Sequence, residues 1–236
     1  MRNAVTITER ELKALFVSPV AYAVSFFFLL ILGVYFYFIT VVAYHEANLH
    51  GLLGVLGYLC IPMAAVITMH LFAEERRSGT IELLMTYPIN DWEVVIGKYL
   101  ASLLLYAFVL LLALQFPLFL MAFGKPDLGA VLTGFLGAFL LGAAFIAMGV
   151  LASSLTRNSV VAAVICLLAL FGLRMLAMGS MVGGPVGKTF YYLSFSSQYT
   201  NMLNGLIDTR DVVFMFSFII FTLFTAVRVI EINRWK

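Results

Sequence analysis

Apolar residues in this chain fall into six long runs separated by short polar breaks: Val20–Tyr44, Leu52–Phe72, Tyr99–Phe123, Leu128–Leu155, Val160–Met178 and Val212–Ile230. A helix that crosses a bilayer needs about 20 mostly apolar residues. Each run is therefore read as a membrane span. The first four contain no Asp, Glu, Lys or Arg, the fifth contains Arg174 and the sixth ends around Arg228. Pro62 and Pro117 should kink the second and third spans, because each removes a helix hydrogen bond. Gly134, Ala138 and Gly142 recur every four residues in the fourth, a face that lets another helix come close. Packing within one chain is the favoured use of that face, and a dimer seam is the alternative.

Composition carries this from a set of segments to the whole molecule. Of 236 residues, 63% are hydrophobic and 11% charged, against about 45–50% and about 25% in a soluble domain. With a mean hydropathy of +1.05, too little polar surface exists to wrap a soluble core. A cytosolic enzyme, a disordered chain and a disulfide scaffold are excluded. The expectation is one all-α, polytopic membrane domain over residues 1–236. Net charge is +2, which argues against nucleic acid as a partner. Cys60 and Cys166 lie in apolar runs and read as small buried hydrophobes. The first apolar run is too long for a cleavable signal peptide. Basic residues are biased to one side. Arg2, Arg10, Lys13, Arg76, Arg77, Lys98, Arg157, Arg228, Arg234 and Lys236 fall on one face, and Lys125, Lys188 and Arg210 on the other. This places both termini in the cytoplasm.

Three segments lie outside the spans. Thr8–Val17 reads as an amphipathic helix, with Thr8 and Glu11 as a capping box and Leu12, Leu15 and Phe16 on one face. Ser18-Pro19 ends it. It either lies along the inner membrane surface or is an extension of span one. The second segment, Ala73–Gly97, holds Glu74, Glu75, Glu82, Asp91 and Glu93, five of the twelve acidic residues. Thr80 is placed to cap a short helix whose Ile81, Leu84 and Met85 share a face, Pro88 ends it, and Asn90-Asp91 starts a second helix into span three. Such a charged pair of helices suits docking of a soluble partner, or is a solvated loop. The third, Gly179–Asp211, opens with a flexible Gly-rich turn. Its Phe190–Phe195 and Met202–Ile207 stretches suit short helices at the outer interface or dipping back into the membrane. They form a lid or an ordinary interfacial loop. Arg174, near the outer side, either snorkels to the interface or pairs in an outer polar cluster with Asp208 or Asp211.

Two look-alikes fail. Gly183–Thr189 resembles a phosphate loop, but Val182 stands where the pattern needs glycine and no strand precedes it. His45 and His50 are five apart, about 140° round a helix, so they do not share the face that a zinc-protease helix requires. His70 stands alone and reads as a packing or hydrogen-bonding residue. The chain is thus expected to carry no catalytic or metal site and to bind no cofactor.

Glu75-Arg76-Arg77-Ser78-Gly79-Thr80-Ile81-Glu82-Leu83-Leu84, followed by Pro88, resembles the signature of type-2 ABC transporter permeases. Arg10-Glu11-Leu12-Lys13 through Phe16 and Ser18-Pro19 is similar to that family's N-terminal interface helix. Gly205–Val213 is similar to the entry to its last span. With Arg234-Trp235, these resemble the gliding-motility (Gld-type) and Nos-type permeases in particular. The resemblance implies that segment 74–88 holds a cytoplasmic coupling helix between spans two and three, seated in a cleft of a separate ATPase. On it, Arg76 and Glu82 would make polar contacts with the ATPase, and Gly79-Thr80 the turn. Ile81, Leu84 and Met85 would hold the helix to the rest of the permease or fill the ATPase cleft, with Glu75, Arg77 and Pro88 in the same coupling segment. The resemblance also implies the inner (plasma) membrane of a bacterial or archaeal cell. Arg10, Glu11, Lys13 and Phe16 would flank the same interface. The implied complex has two ATPase copies, which carry the ATP and magnesium, and a second permease chain. A homodimer is the leading arrangement, a heterodimer is the alternative, and there is room for an auxiliary periplasmic or membrane subunit. The uncharged, aromatic-rich spans suit an apolar or amphipathic cargo, exported, or a device that transmits force. An ATP-independent scaffold or a secondary transporter is the rival reading. The latter would show internal repeats and a midplane carboxylate, and neither is evident.

Overall fold

A computed structural model describes residues 2–38, 49–79, 90–123, 127–182 and 184–234. Every regular element among them is helical. They are α1 (Arg2–Val17), α2 (Pro19–Tyr35), α3 (His50–Thr68), α4 (Ala73–Ser78), α5 (Asp91–Ala113), α6 (Gln115–Phe123), α7 (Leu128–Leu155), α8 (Ser159–Met175), α9 (Gly184–Leu193), α10 (Phe195–Leu203) and α11 (Thr209–Arg234). A short 3-10 segment, Leu176–Val182, joins α8 to α9. Six stretches are long and apolar enough to cross a membrane: Pro19–Phe38, His50–Ser78, Asp91–Met121, Leu128–Leu155, Ser159–Gly179 and Thr209–Ile232. The chain is a six-span, all-α membrane protein, because in lipid only a helix or a closed barrel satisfies its own backbone.

The second and third of these stretches are 29 and 31 residues long. A hydrocarbon core of about 30 Å takes about 20 helical residues, so each stretch has residues to spare. Their surplus, α4 and the first turns of α5, lies at one end of the bundle. Residues 74–79 of the expected coupling segment belong to that surplus, and residues 80–88 lie outside the described ones.

Local chemistry sets the breaks. Ser18 caps α2, its Oγ accepting from the Val20 N–H at 3.2 Å, and Pro19 takes the first helical position, where no N–H is needed. Asp127, Asn158 and Ser194 cap α7, α8 and α10 in the same way. Pro117 cannot donate to the Ala113 carbonyl, and the third span breaks there, between α5 and α6. Pro62 is accommodated inside α3 without ending it.

The fourth span, α7, is the hub. About 72% of its most apolar window is buried, against 17% for the first and fifth spans, which stand at the periphery. Lipid tails are as apolar as leucine, so spans associate through close packing and hydrogen bonds. The Gly134–Ala138–Gly142 face works this way inside the chain. A methyl group on Gly134 would sit 2.6 Å from Leu53, and one on Gly142 would enter the Tyr106 ring. Tyr106 also donates its hydroxyl hydrogen to the Ala138 carbonyl at 2.7 Å.

The segment between the last two spans sinks into the bundle. Phe195, Tyr199 and Met202 of α10 are buried. Tyr199 donates to the Leu53 carbonyl at 2.6 Å, and the Phe195 ring packs on Phe145, Phe214 and Phe218. The short helix expected over Met202–Ile207 instead ends at Leu203, because the chain turns at Asn204-Gly205, where Gly205 takes φ 81°. Arg174 places its guanidinium over the Tyr58 ring, 3.5 Å from the centroid. No ion pair joins it to Asp208 or Asp211 among the described residues. Asp211 accepts from Asn201 Nδ2 at 2.9 Å, and Asp208 from the Arg210 N–H at 2.9 Å. The aromatic face takes the place of an anion for this cation.

Candidate functional site

The surplus helix ends meet α1, and the meeting point is polar. Expected over residues 8–17, along the inner membrane surface or as an extension of span one, α1 begins at Arg2 and packs one face along α5. Asn3 Nδ2 donates to Glu93 at 3.0 Å, Ile7 packs on Gly97, and the Phe16 and Phe108 rings lie 5.5 Å apart. Gly97 is what allows this approach. A methyl group there would sit 2.8 Å from Ile7 and 3.1 Å from the Ala4 carbonyl. Thr8 is not a cap. It lies in the middle of α1, nearly buried, and its hydroxyl donates to the Ala4 carbonyl at 2.8 Å, with the Gly97 carbonyl 3.2 Å away. The inward stripe of α1 runs through Ile7, Thr8, Glu11 and Leu15, so Glu11 points into the protein.

Lys98, on α5, is the reason a carboxylate can sit there. It is 1% exposed. Its Nζ lies 2.9 Å from Glu75 Oε1, 3.3 Å from Glu11 Oε1 and 2.8 Å from the Leu71 carbonyl. An ammonium has three donors, and these three acceptors use them all. Arg10 closes the cluster from outside, 2.7 Å from Glu11 Oε1 and 3.7 Å from Glu75 Oε1. Burial would raise the Glu11 carboxyl, but Lys98 and then Arg10 outweigh it and hold Glu11 below the usual carboxylate range. One buried cation thus ties α1, the end of the second span and α5 together.

A second tie reaches the hub. The chain turns at residues 69–72 between α3 and α4, which leaves backbone N–H groups without helical partners. Ser153 of α7 supplies the acceptor. Its Oγ takes the N–H groups of Phe72 at 3.0 Å and Ala73 at 3.2 Å, with the Met69 carbonyl 3.3 Å away. Nearby, Thr68 packs against Gly149 with no room for a side chain. The base of α4 is therefore fixed to the most buried span.

The residues expected to meet an ATPase divide accordingly. Arg77 and Gly79 are exposed, and Gly79 ends α4 in the left-handed conformation, φ 73°. Arg76 is half-buried with Nη2 enclosed and unpaired, against the α7–α8 corner and within range of Arg157. Glu75 and Glu11 are turned inward to Lys98, Arg10 and Lys13 are exposed, and Phe16 is packed on Phe108. Thr80, Ile81, Glu82, Leu84, Met85 and Pro88 lie outside the described residues. Sequence reasoning misses Lys98 and Ser153 as members of this site. In the sequence Lys98 is only a marker of the basic side, and Ser153 carries no signal. A lysine flush against an apolar run, beside a glycine, is the one feature that could have found the cluster.

The same junction borders an open cavity of about 380 Å³ between α1, α2, α3, α4 and α5, with Glu11, His70, Glu74, Glu75 and Lys98 in its wall. His70 is not isolated: its Nδ1 lies 2.8 Å from Glu74 Oε1, off the line of a hydrogen bond. His50 contacts Asn204 at 3.1 Å, and His45 lies outside the described residues. No group of three His, Cys, Asp or Glu residues placed to hold a metal ion occurs among the described residues.

No curated protein matches the chain. The model of a transporter family does, over residues 39–231, which takes in every span but the first and leaves α1 and α2 ahead of it. Six spans and a match over most of the length lead to one conclusion: the chain belongs to the ABC-2 family of transporter proteins.

Proposed function

We propose that this chain is the permease subunit of an ATP-binding cassette exporter, nearest in kind to the Gld-type and Nos-type permeases. Two copies pair with each other and with two copies of a separate ATPase, which holds the ATP and magnesium. The junction end faces the cytoplasm, as the basic residues indicate. Segment 74–88 docks in the ATPase, with Arg77 and Glu82 making polar contacts and Ile81, Leu84, Met85 and Pro88 setting the fit. Arg10 and Lys13 of α1 flank it. Arg76 and Arg157 add positive charge beside it. The cargo is apolar or amphipathic, or the complex transmits force across the membrane.

The observation that carries this reading is the buried Lys98. It joins the docking segment to α1 and to the third span through one ammonium, while Ser153 joins it to the fourth. A short rigid element fastened to packed helices moves them as bodies when a two-state partner moves it.

The test is to reconstitute the chain in lipid with the ATPase and to measure complex formation and ATP turnover. Wild type should co-purify with the ATPase and raise its turnover. An Arg77→Glu/Glu82→Lys chain that inserts normally should lose both. Equal binding and turnover by the two chains would remove the docking assignment and favour an ATP-independent scaffold.

A further inference from the structure

The cavity at the junction is one half of a longer groove. A second cavity, also about 380 Å³, begins where the first ends. The two share Val20, Val24 and Val66 in their walls, so they are continuous along the seam between α2 and α3. The second is lined by apolar side chains, among them Phe27, Phe28, Ile31, Pro62 and Met63. From Val20 to Ile31 it runs along α2 for roughly 16 Å. The groove is therefore charged at the junction end and apolar along the span. It lies beside a peripheral helix, α2, whose Phe26, Phe27 and Ile31 face outward.

The charges at the polar end decide what head group it admits. Glu11, Glu74 and Glu75 line it, with Lys98 the cation in its wall and Arg10 behind Glu11. All three donors of Lys98 are taken by Leu71, Glu75 and Glu11. An anionic head group would find no free donor on Lys98, whose charge is matched by Glu11 and Glu75, and would meet the further carboxylate of Glu74 at the rim. Glu74 is the carboxylate that neither Lys98 nor Arg10 meets. Its side chain is 62% exposed at the rim, beside an imidazole.

We propose that this groove is a binding site for a single-chain amphiphile with a positively charged head, an alkylamine or alkylammonium, entering sideways between α2 and α3. The head sits at Glu74, and the chain lies along the apolar wall. This names the substrate class for the exporter reading. Binding itself does not depend on that reading, and only the transport of the bound molecule rests on it.

The test uses the full chain in lipid nanodiscs without any ATPase, so that a failure of the ATPase assignment cannot be mistaken for a failure of the site. The probe is an alkyltrimethylammonium with a photoreactive diazirine at its chain end, and labelled residues are mapped by mass spectrometry. Labelling should concentrate on residues 27–31 and 59–66. Excess decyltrimethylammonium should compete and decyl sulfate should not. Glu74→Gln should weaken labelling roughly three- to fivefold, the loss expected for one rim charge pair. Val24→Trp, which fills the groove without touching a charge, should abolish it. Label spread evenly over all six spans, or equal competition by the sulfate, would overturn the proposal. If Val24→Trp fails to insert, the competition and Glu74→Gln results decide the matter. Stimulation of ATP turnover by the same amine, measured separately in the complex, then reports whether the bound amphiphile is cargo.

Discussion

Replacing Lys98 with methionine should release α1 from the bundle. The substitution keeps an apolar stem of similar length and removes only the ammonium. Contacts at 2.9 Å to Glu75, 3.3 Å to Glu11 and 2.8 Å to the Leu71 carbonyl are lost together. Removing one partner of a buried ion pair costs about 3–5 kcal/mol, because the other charge is left in a poor environment. Glu11 and Glu75 keep 14% and 20% of their side-chain surface in contact with solvent, and Glu11 keeps Arg10. Water and Arg10 therefore recover part of the loss, which leaves about 2–3 kcal/mol. The assay is denaturant unfolding in mild detergent, with hydrogen exchange measured on α1 peptides. Lys98→Met should lower stability by that amount and raise exchange in α1 before it rises in α7. In a double-mutant cycle with Glu75→Met, the two changes should cost clearly less together than the sum of each alone. A Lys98→Met chain within about 0.5 kcal/mol of wild type, with α1 still protected, would refute the reasoning.

Neighbouring contacts carry further expected outcomes. Gly97→Val should push α1 off α5, costing about 1–3 kcal/mol as overpacking, and trypsin cleavage at Arg10 should rise as the readout. Ser153→Ala leaves the N–H groups of Phe72 and Ala73 without an acceptor. It should cost about 1–3 kcal/mol and reduce coupled ATP turnover while ATPase binding persists. Gly142→Ala should destabilise the bundle by a similar amount, because its methyl group enters the Tyr106 ring. Glu11 supplies a pH signature. Its carboxyl is held below the unfolded value of about 4.3. Its contribution is therefore fully present above that pH and is lost as pH falls through the lower, folded value. The stability difference between wild type and Glu11→Gln should be flat from about pH 6 to 8 and shrink towards zero below about pH 4.

The spans were legible because a bilayer imposes one rule, about 20 apolar residues per crossing, that each run meets on its own. The end of α1 at Ser18-Pro19 was legible because proline disfavours a helical residue before it, and the interruption near Pro117 because proline lacks an N–H, although Pro62 carries the same signal without ending α3. The site was less so. Thr8 and Glu11 fit a capping box by spacing, yet both lie inside α1, because Gly97 lets α5 cover that helix and Lys98 draws Glu11 inward. Nothing in the local pattern around Glu11 or Glu75 points to Lys98, which lies 87 and 23 positions away. Arg174 reads in the sequence as a residue in need of water or an acid. Tyr58, brought alongside by the packing of α3 and α8, gives it a ring instead.

The central claim is that movement of the ATPase reaches the spans through the Lys98 junction. It is tested most directly by the distance between spin labels at Val17, on α1, and Leu168, on the fifth span, both exposed. The measurement is made in the lipid-embedded ATPase complex with and without a non-hydrolysable ATP analogue. The account predicts that nucleotide shifts the distance distribution in wild type, and that the shift is lost in Lys98→Met although the ATPase still binds. A shift of the same size in both chains, or none in wild type with the complex intact, would contradict it.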